Sequence, residues 1–385
     1  MANTLTDLLP DAYAAVDQVS RELTGLIPAV FRDSRFDRAP TGQSVRVPIV
    51  PENTAGFDLT PAMSIPAAAD QTIGNVEVII NKSRGYPFSW SGKEQSQMNA
   101  GPGYMNLRAN QIAQAIRKLV NEMETDLAAL QSQFSRAYGT AATTPFSTAG
   151  DFTDATEVLK ILKDNGAPPS FDNQLIVNTS AGAKFLGKQG NASVEFNENV
   201  LRQGVFQTIA GMDIRESAQI NNFTAGDGAS GTTNTAGYAI GATTITLASA
   251  GTGTVLAGDV ISIAGDSHKY VVVTGDADIS NGGTVVIQAP GLRKAIPAAA
   301  TSITLTASSA RNMAFNRNAI VLATRLPERP EEGDLALDVR TIVDPRTGMA
   351  FELAIYPGNR MVRYEVSAAW GVKLIKPEWT ALLLG

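Results

Sequence analysis

No cysteine occurs in the 385 residues, and there is a single histidine. The first absence excludes a disulfide framework and any thiolate metal site. The second leaves His268 as the sole base for a Ser-His-Asp set, in a GDSHKY stretch with no motif around it, so a structural or exposed role is expected. Nowhere do about 18 apolar residues run unbroken, and no membrane-spanning helix is expected. The N-terminus carries Asp7 and Asp11 and no continuous apolar stretch, unlike a signal peptide. Positive charge is scarce: 31 Lys and Arg against 37 Asp and Glu leave −6. That argues against a nucleic-acid reader, which needs a basic face. It does not exclude life beside nucleic acid, to which an acidic wall does not stick. A soluble chain made in a cytoplasm, with room for two or three cores, is the expectation.

Other chemistry is missing as well. There is no G-x-x-x-x-G-K-[ST] phosphate loop. Asp276/Asp278 and Glu331/Glu332 are carboxylate pairs in loops without a partner pattern, read as solvated charges rather than metal or glycosidase groups. GDADISNGG (Gly275 to Gly283) lacks EF-hand spacing and reads as a hairpin tip. Asn191-Ala192-Ser193 matches a glycosylation acceptor, irrelevant without secretion. No catalytic, cofactor-binding or metal residue is assigned, and no enzyme is expected.

What is present is a long amphipathic run, Met105 to Tyr138. Ile112, Ile116, Leu119, Val120, Met123, Leu127, Leu130 and Phe134 recur every three or four residues and define one helical face. Gln114, Arg117, Lys118, Asn121, Glu124 and Gln131 define the other, and Glu122 and Asp126 form a mildly repulsive pair. Gly139 stands where a C-cap is expected. At ~1.5 Å per residue the run would span roughly 50 Å. Taken alone it fits a coiled coil or bundle helix equally well.

Around it the chain changes character repeatedly. An amphipathic helix is expected over Thr6 to Leu23, ended by Gly25 and Pro28. The charged FRDSRFDR that follows reads as an arm lying on another surface. SVRVPIV and VEVII read as a two-stranded ribbon with a long Pro/Ala/Gly-rich tip, followed by Tyr86, Phe88 and Trp90 at period two. Such a ribbon is marginal alone. No other part of the chain obviously supports it, and a neighbouring copy would. Helices are expected over Asp154 to Asn165 and Ser180 to Leu186, with LIVN (Leu175 to Asn178) as a buried strand. Val205 to Ile220 reads as strand, turn at Gly211, strand.

Residues 222–310 are rich in Gly, Thr, Ala, Ser and Val. AGDGASGTTNTAG reads as a flexible linker, and short strands with an Asn281-Gly282 hairpin turn follow. ATTITLAS (Ala242 to Ser249) and ATSITLTA (Ala300 to Ala307) bracket the segment. Their pairing would join its ends, as an inserted small β barrel requires. NAIVLATRLP should return to the interrupted domain. LALDVRTIV, MAFELAIY and MVRYEVSAAWGVKLI form an antiparallel meander, for which the long helix is the available cover.

This order, with RANQIAQAIRKLVNEMETDLAA, FQTIAGMDIRESAQI, ARNMAFNRNAIVLATRLPE and YEVSAAWGVKLIKPEWTALLL, resembles the major capsid (coat) proteins of tailed bacteriophages. It is similar to the short-tailed-phage branch that carries a β-barrel insertion domain. The resemblance implies an α+β, Hong Kong 97-like fold. Its parts would be an N-terminal arm (1–43), an extended β loop (44–100) and a spine helix with the start of the peripheral domain (101–150). An axial domain (151–221, returning at 311–332), the inserted β barrel (222–310) and a peripheral β meander (333–385) would follow. The implied role is a structural virion protein, assembled in the host cytoplasm into hexamers and pentamers of an icosahedral shell. Its implied partners are a scaffolding protein, a portal protein at one vertex, decoration proteins, and double-stranded DNA held without sequence recognition. No membrane is involved. A bacterial nanocompartment shell is the alternative, though it has no reason for the β insertion. A secreted β-rich adhesin or hydrolase fits less well.

Overall fold

The computed structural model describes residues 25–49, 61, 73–99, 104–148, 151–169, 172–187, 208–343 and 348–385. The helix expected over Thr6 to Leu23, most of the ribbon tip and Asn191-Ala192-Ser193 lie outside these residues.

Periodicity places the long helix correctly but overshoots its end. The helix is Tyr104–Ala129, followed by a 3-10 turn at Leu130–Gln133. Phe134 is already extended, with ψ 163°. The pattern runs on because Leu130 and Phe134 still point into the same core as Ile116, Val120, Met123 and Leu127. Sequence spacing therefore cannot distinguish the turn from more helix. Gly139 caps no helix. It ends the strand Arg136–Gly139 with φ +98°, and a Cβ there would sit 2.8 Å from the Leu384 carbonyl oxygen.

The helix covers one face of a six-stranded sheet. Asp338–Val343, Ala350–Gly358 and Met361–Leu374 are the antiparallel meander the alternation predicts. Phe351, Leu353, Ile355, Tyr364, Val366, Ala368 and Trp370 alternate onto the helix side. Lys82–Ser91 pairs with Met361 through Trp370, and its Tyr86, Phe88 and Trp90 join the same core. Two expectations are corrected. Ile320–Pro327 does not return to the interrupted domain but pairs with the C-terminal half of Met361–Leu374. FRDSRFDRA is not an arm on a foreign surface, since Phe31–Ala39 is a parallel strand beside Ile320–Pro327. Its charges have partners on its own chain: Arg325 with Asp33 at 2.9 Å and Arg38 with Glu352 at 2.6 Å.

The second sheet orders Arg136–Gly139, Thr380–Leu384, Ser309–Asn316, Asn173–Val177 and Met212–Glu216. The C-terminal strand Thr380–Leu384 thus lies outside the meander expected over 333–385. Its alternating residues serve two cores. Leu382 and Leu384 face the long-helix side, while Ala381 and Leu383 face the helices Thr153–Asp164 and Thr179–Gly187.

Between Asn222 and Ala310 the chain builds a further core from Ile245, Ile261, Ile263, Tyr270, Val272, Val285 and Ile287. Strands there are ordered Thr244–Leu247, Gly283–Ile287, Lys269–Thr274, Val260–Ile263 and Ile303–Leu305. The two similar pieces do not pair with each other. Thr244–Leu247 pairs with Gly283–Ile287, and Ile303–Leu305 pairs with Val260–Ile263. The stretch read as a linker lies between them: Thr232 bridges Ser302 and Thr233 bridges Leu247. Thr233 is fully buried, so a β-branched residue overrides the flexible composition around it. The ends of the segment meet instead through Asn222–Phe223 and Ser309–Ala310.

Leu127→Asp puts an unpaired charge into the fully buried helix–sheet contact, at a cost of several kcal/mol. Gln114→Lys alters an exposed helical position. The aspartate variant is expected to be insoluble or to melt far below wild type, and the lysine variant to melt with it. Equal solubility would show that the face assignment is wrong.

Candidate functional site

The residues that chemistry would favour are occupied in closing turns. His268 Nδ1 lies 2.7 Å from Asp266 Oδ1, and Tyr270 Oη donates to Asp266 Oδ2 at 2.7 Å. Asp276 accepts from the backbone N–H of Asp278 and Thr284, and Asp278 accepts from Ser280 N–H and Oγ. These bonds close the hairpin tip. Among the described residues no three His, Asp or Glu side chains are grouped as a metal site. The notable geometry is that of surfaces and of charges buried behind them.

The ribbon pairs Ser44–Ile49 with Gly74–Ile79, and each strand has a paired neighbour on one side only among the described residues. Its outward Ile73 and Ile79 are 66% and 50% exposed. Its base, however, is supported by its own chain, contrary to expectation. Val78 is fully buried against Val321 and Ala323, with Val45 and Val47 packed beside it. Lys373 Nζ donates to Glu77 O at 2.9 Å. Gly371 allows this seating, because a Cβ there would come within 2.0 Å of the Ile79 carbonyl oxygen. Asp338–Val343 likewise pairs on one side only among the described residues.

Four acids tie the frame together: Glu124 and Glu352 are buried, and Glu122 and Asp126 are half-buried. Glu124, expected on the polar side of the helix, is 1% exposed. Its carboxylate accepts from the N–H groups of Leu26 and Ile27 at 3.1 and 2.7 Å and from Ser217 Oγ at 2.8 Å. It thereby pins the N-terminal segment, whose Leu26 and Ile27 are fully buried, to the helix. Burial raises its pKa above the usual carboxylate range, outweighing the bonds from Ile27, Ser217 and Leu26. Asp126 accepts from Lys82 Nζ at 2.6 Å and Trp370 Nε1 at 2.8 Å, and Glu122 accepts from Tyr86 Oη. The expected Glu122–Asp126 repulsion is thus relieved by separate partners. On the opposite sheet face Glu352 is held by Arg38 at 2.6 Å and Arg329 at 3.0 Å.

No family model and no curated protein matches the chain. Its structure is similar to one from Mycobacterium phage Che8, at 13% identity and TM-score 0.46, covering 89% of this chain and 84% of that one. The capsid structure of the cyanophage P-SCSP1u is similar at 11% identity and TM-score 0.47, covering 92% and 86%. A virus-like particle from Pyrococcus furiosus is similar at 12% identity and TM-score 0.43, covering 98% and 100%. The three are a phage, a capsid and a virus-like particle. Likenesses this distant carry no functional argument.

Two outcomes test the geometry. Gly371→Val drives a side chain into the ribbon backbone and is expected to cost about 1–3 kcal/mol. It should expose the strands Ser44–Ile49 and Gly74–Ile79 to limited proteolysis. Wild-type cleavage and melting would remove the ribbon seat. For Glu124, a raised folded-state pKa means that the native state binds the proton more tightly than the unfolded chain. Its contribution therefore weakens as pH rises from the usual carboxylate range through the folded value. Glu124→Gln keeps an acceptor and removes this titration. Compared by melting from about pH 4 to pH 8, the variant should gain on wild type as pH rises. A constant difference would place the titration elsewhere.

Proposed function

We propose that the chain is the structural subunit of the head shell of a tailed bacteriophage, self-assembling around double-stranded DNA. The observation that carries this reading is the ribbon with its exposed isoleucines, whose strands, like the Asp338–Val343 edge of the six-stranded sheet, pair on one side only among the described residues. Open edges and exposed apolar residues are liabilities in a monomer. They are contacts in a subunit whose neighbours complete them head to tail. Each such contact can be weak, because a subunit held by several neighbours gains effective concentration.

Residues 222–310 are read as a small β barrel inserted into the axial domain. In support, the segment enters and leaves through the paired residues Asn222–Phe223 and Ser309–Ala310, encloses its own core, and has Gly231–Asn234 between its first and last strands. It would stand on the outside of the shell, since the lumen is needed for scaffold and genome. Hexamers and pentamers of this chain, a scaffolding protein during assembly in the host cytoplasm, a portal at one vertex and decoration proteins complete the reading.

Sedimentation and negative-stain microscopy of the purified chain, alone and with its scaffold, test it. Monomers that convert to large shells, without turnover of any substrate, are the expected result. A stable dimer of defined size with enzymatic turnover would overturn the proposal. Shells that never take up DNA in infected cells would instead favour a nanocompartment.

A further inference from the structure

The loop 328–337 holds Leu335 out in solvent on a support of ion pairs and hydrogen bonds. Arg329 bridges Asp334 at 3.3 Å and Glu352 at 3.0 Å. Tyr356 Oη donates to Asp334 Oδ2 at 3.0 Å, Ala336 N–H donates to Asp334 Oδ1 at 3.0 Å, and Leu337 N–H donates to Ile355 O at 2.7 Å. Despite these ties Leu335 is 83% exposed and Leu337 65%. Leu335 stands in solvent, while Leu337 borders the adjoining groove.

Beside the loop, between the turn at Gly358 and the start of the helix Gly92–Asn99, runs a groove of about 870 Å³. Trp90, Leu337, Met361 and Val362 give it an apolar floor, and Lys93 and Arg360 flank it. Glu94, the nearest acid in sequence, is engaged elsewhere: its carboxylate accepts from Ser91 N–H and Oγ at 2.8 and 2.7 Å. Lys93 and Arg360 are exposed, as are Glu331 and Glu332 in the loop, and none of the four forms an ion pair among the described residues. One chain thus displays an acidic loop tipped with leucine and, beside it, a basic groove with an apolar floor.

We propose that the occupant of this groove is the loop of a second copy: Leu335 enters between Trp90 and Met361, and Glu331 and Glu332 meet Lys93 and Arg360. Loop and groove are different surfaces of one chain, so the contact, made head to tail, repeats from copy to copy. Electrostatics would set its orientation and the leucine much of its affinity. The proposal rests on the shell reading and assigns one of its contacts.

The full-length chain tests it in two ways. With no native cysteine to compete, differently tagged Leu335→Cys and Gly92→Cys chains are mixed under assembly conditions and oxidised. A disulfide joining the two tags is expected. In the second arm, Lys93→Glu with Arg360→Glu, or Glu331→Lys with Glu332→Lys, should each weaken association about tenfold in sedimentation. All four reversals in one chain should restore it. Wild-type shells that form without the mixed disulfide, or reversals that leave association unchanged or unrescued, overturn the docking while leaving the shell reading intact. A wild-type chain that stays monomeric at every concentration overturns both. Binding of the scaffold, abolished by the groove reversal alone and not rescued by the loop, would assign the groove to that partner instead.

Discussion

The long helix cannot stand in water with Ile112, Ile116, Leu119, Val120, Met123 and Leu127 on one side, and the meander cannot stand with Phe351, Leu353, Val366 and Trp370 on its facing side. Each large side chain of this kind removed from water is worth about 1.5–3 kcal/mol, so the two surfaces determine one another. The contact also dictates what surrounds it. Once the helix lies on the sheet, Glu124 is carried out of solvent and Asp126 partly so, and an acid moved there needs donors. Glu124 finds them in the backbone of Leu26 and Ile27, and Asp126 finds them in Lys82 and Trp370. The N-terminal segment and the strand Lys82–Ser91 are thereby tied to the helix by groups that the helix itself buried.

Local periodicity made much of this readable. The helix face, the period-two run Tyr86–Phe88–Trp90, the three-stranded meander and the helix Thr153–Asp164 all follow from spacing within about a dozen residues. The failures share a physical origin, because each depends on a partner far away in sequence. Phe31–Ala39 looks like a loose charged arm until Arg325 and Glu352, some three hundred positions on, neutralise it. Glu124 belongs to the polar face by spacing, yet its donors lie about a hundred residues upstream and downstream. The ribbon seemed unsupported because its support is an absence, the missing side chain of Gly371. The helix Gly92–Asn99 is missed by the sequence reading, although the Ser91–Glu94 capping box that begins it is a local signal. The candidate assembly surface was less legible than the fold: exposed Leu335 and Ile79 look like any apolar residue until burial elsewhere leaves them outside.

The β-rich segment carries the same reasoning to its boundary. Its own core argues for independence, but its attachment argues against a clean cut. Val260 and Val271 turn away from that core and pack with the residues of the long helix. Lys269 and Tyr270 pair with Ala137 and Arg136, so a strand of the segment extends the second sheet. Arg311, fully buried, donates to Gly258 O and lies 4.3 Å from the ring centre of Phe223. Burial pushes its pKa down to about 10 even with Asp259 nearby, so it remains charged at neutral pH. A buried guanidinium whose partners belong to the segment makes that segment part of the frame's own charge balance. Removing residues 222–310 would strip Arg311 of its acceptor and Val260 and Val271 from the central core. The segment is therefore better understood as a lobe whose packing completes the body than as an appendage on a tether. Any role it has on the surface of an assembly is transmitted through this junction to the sheet and the helix.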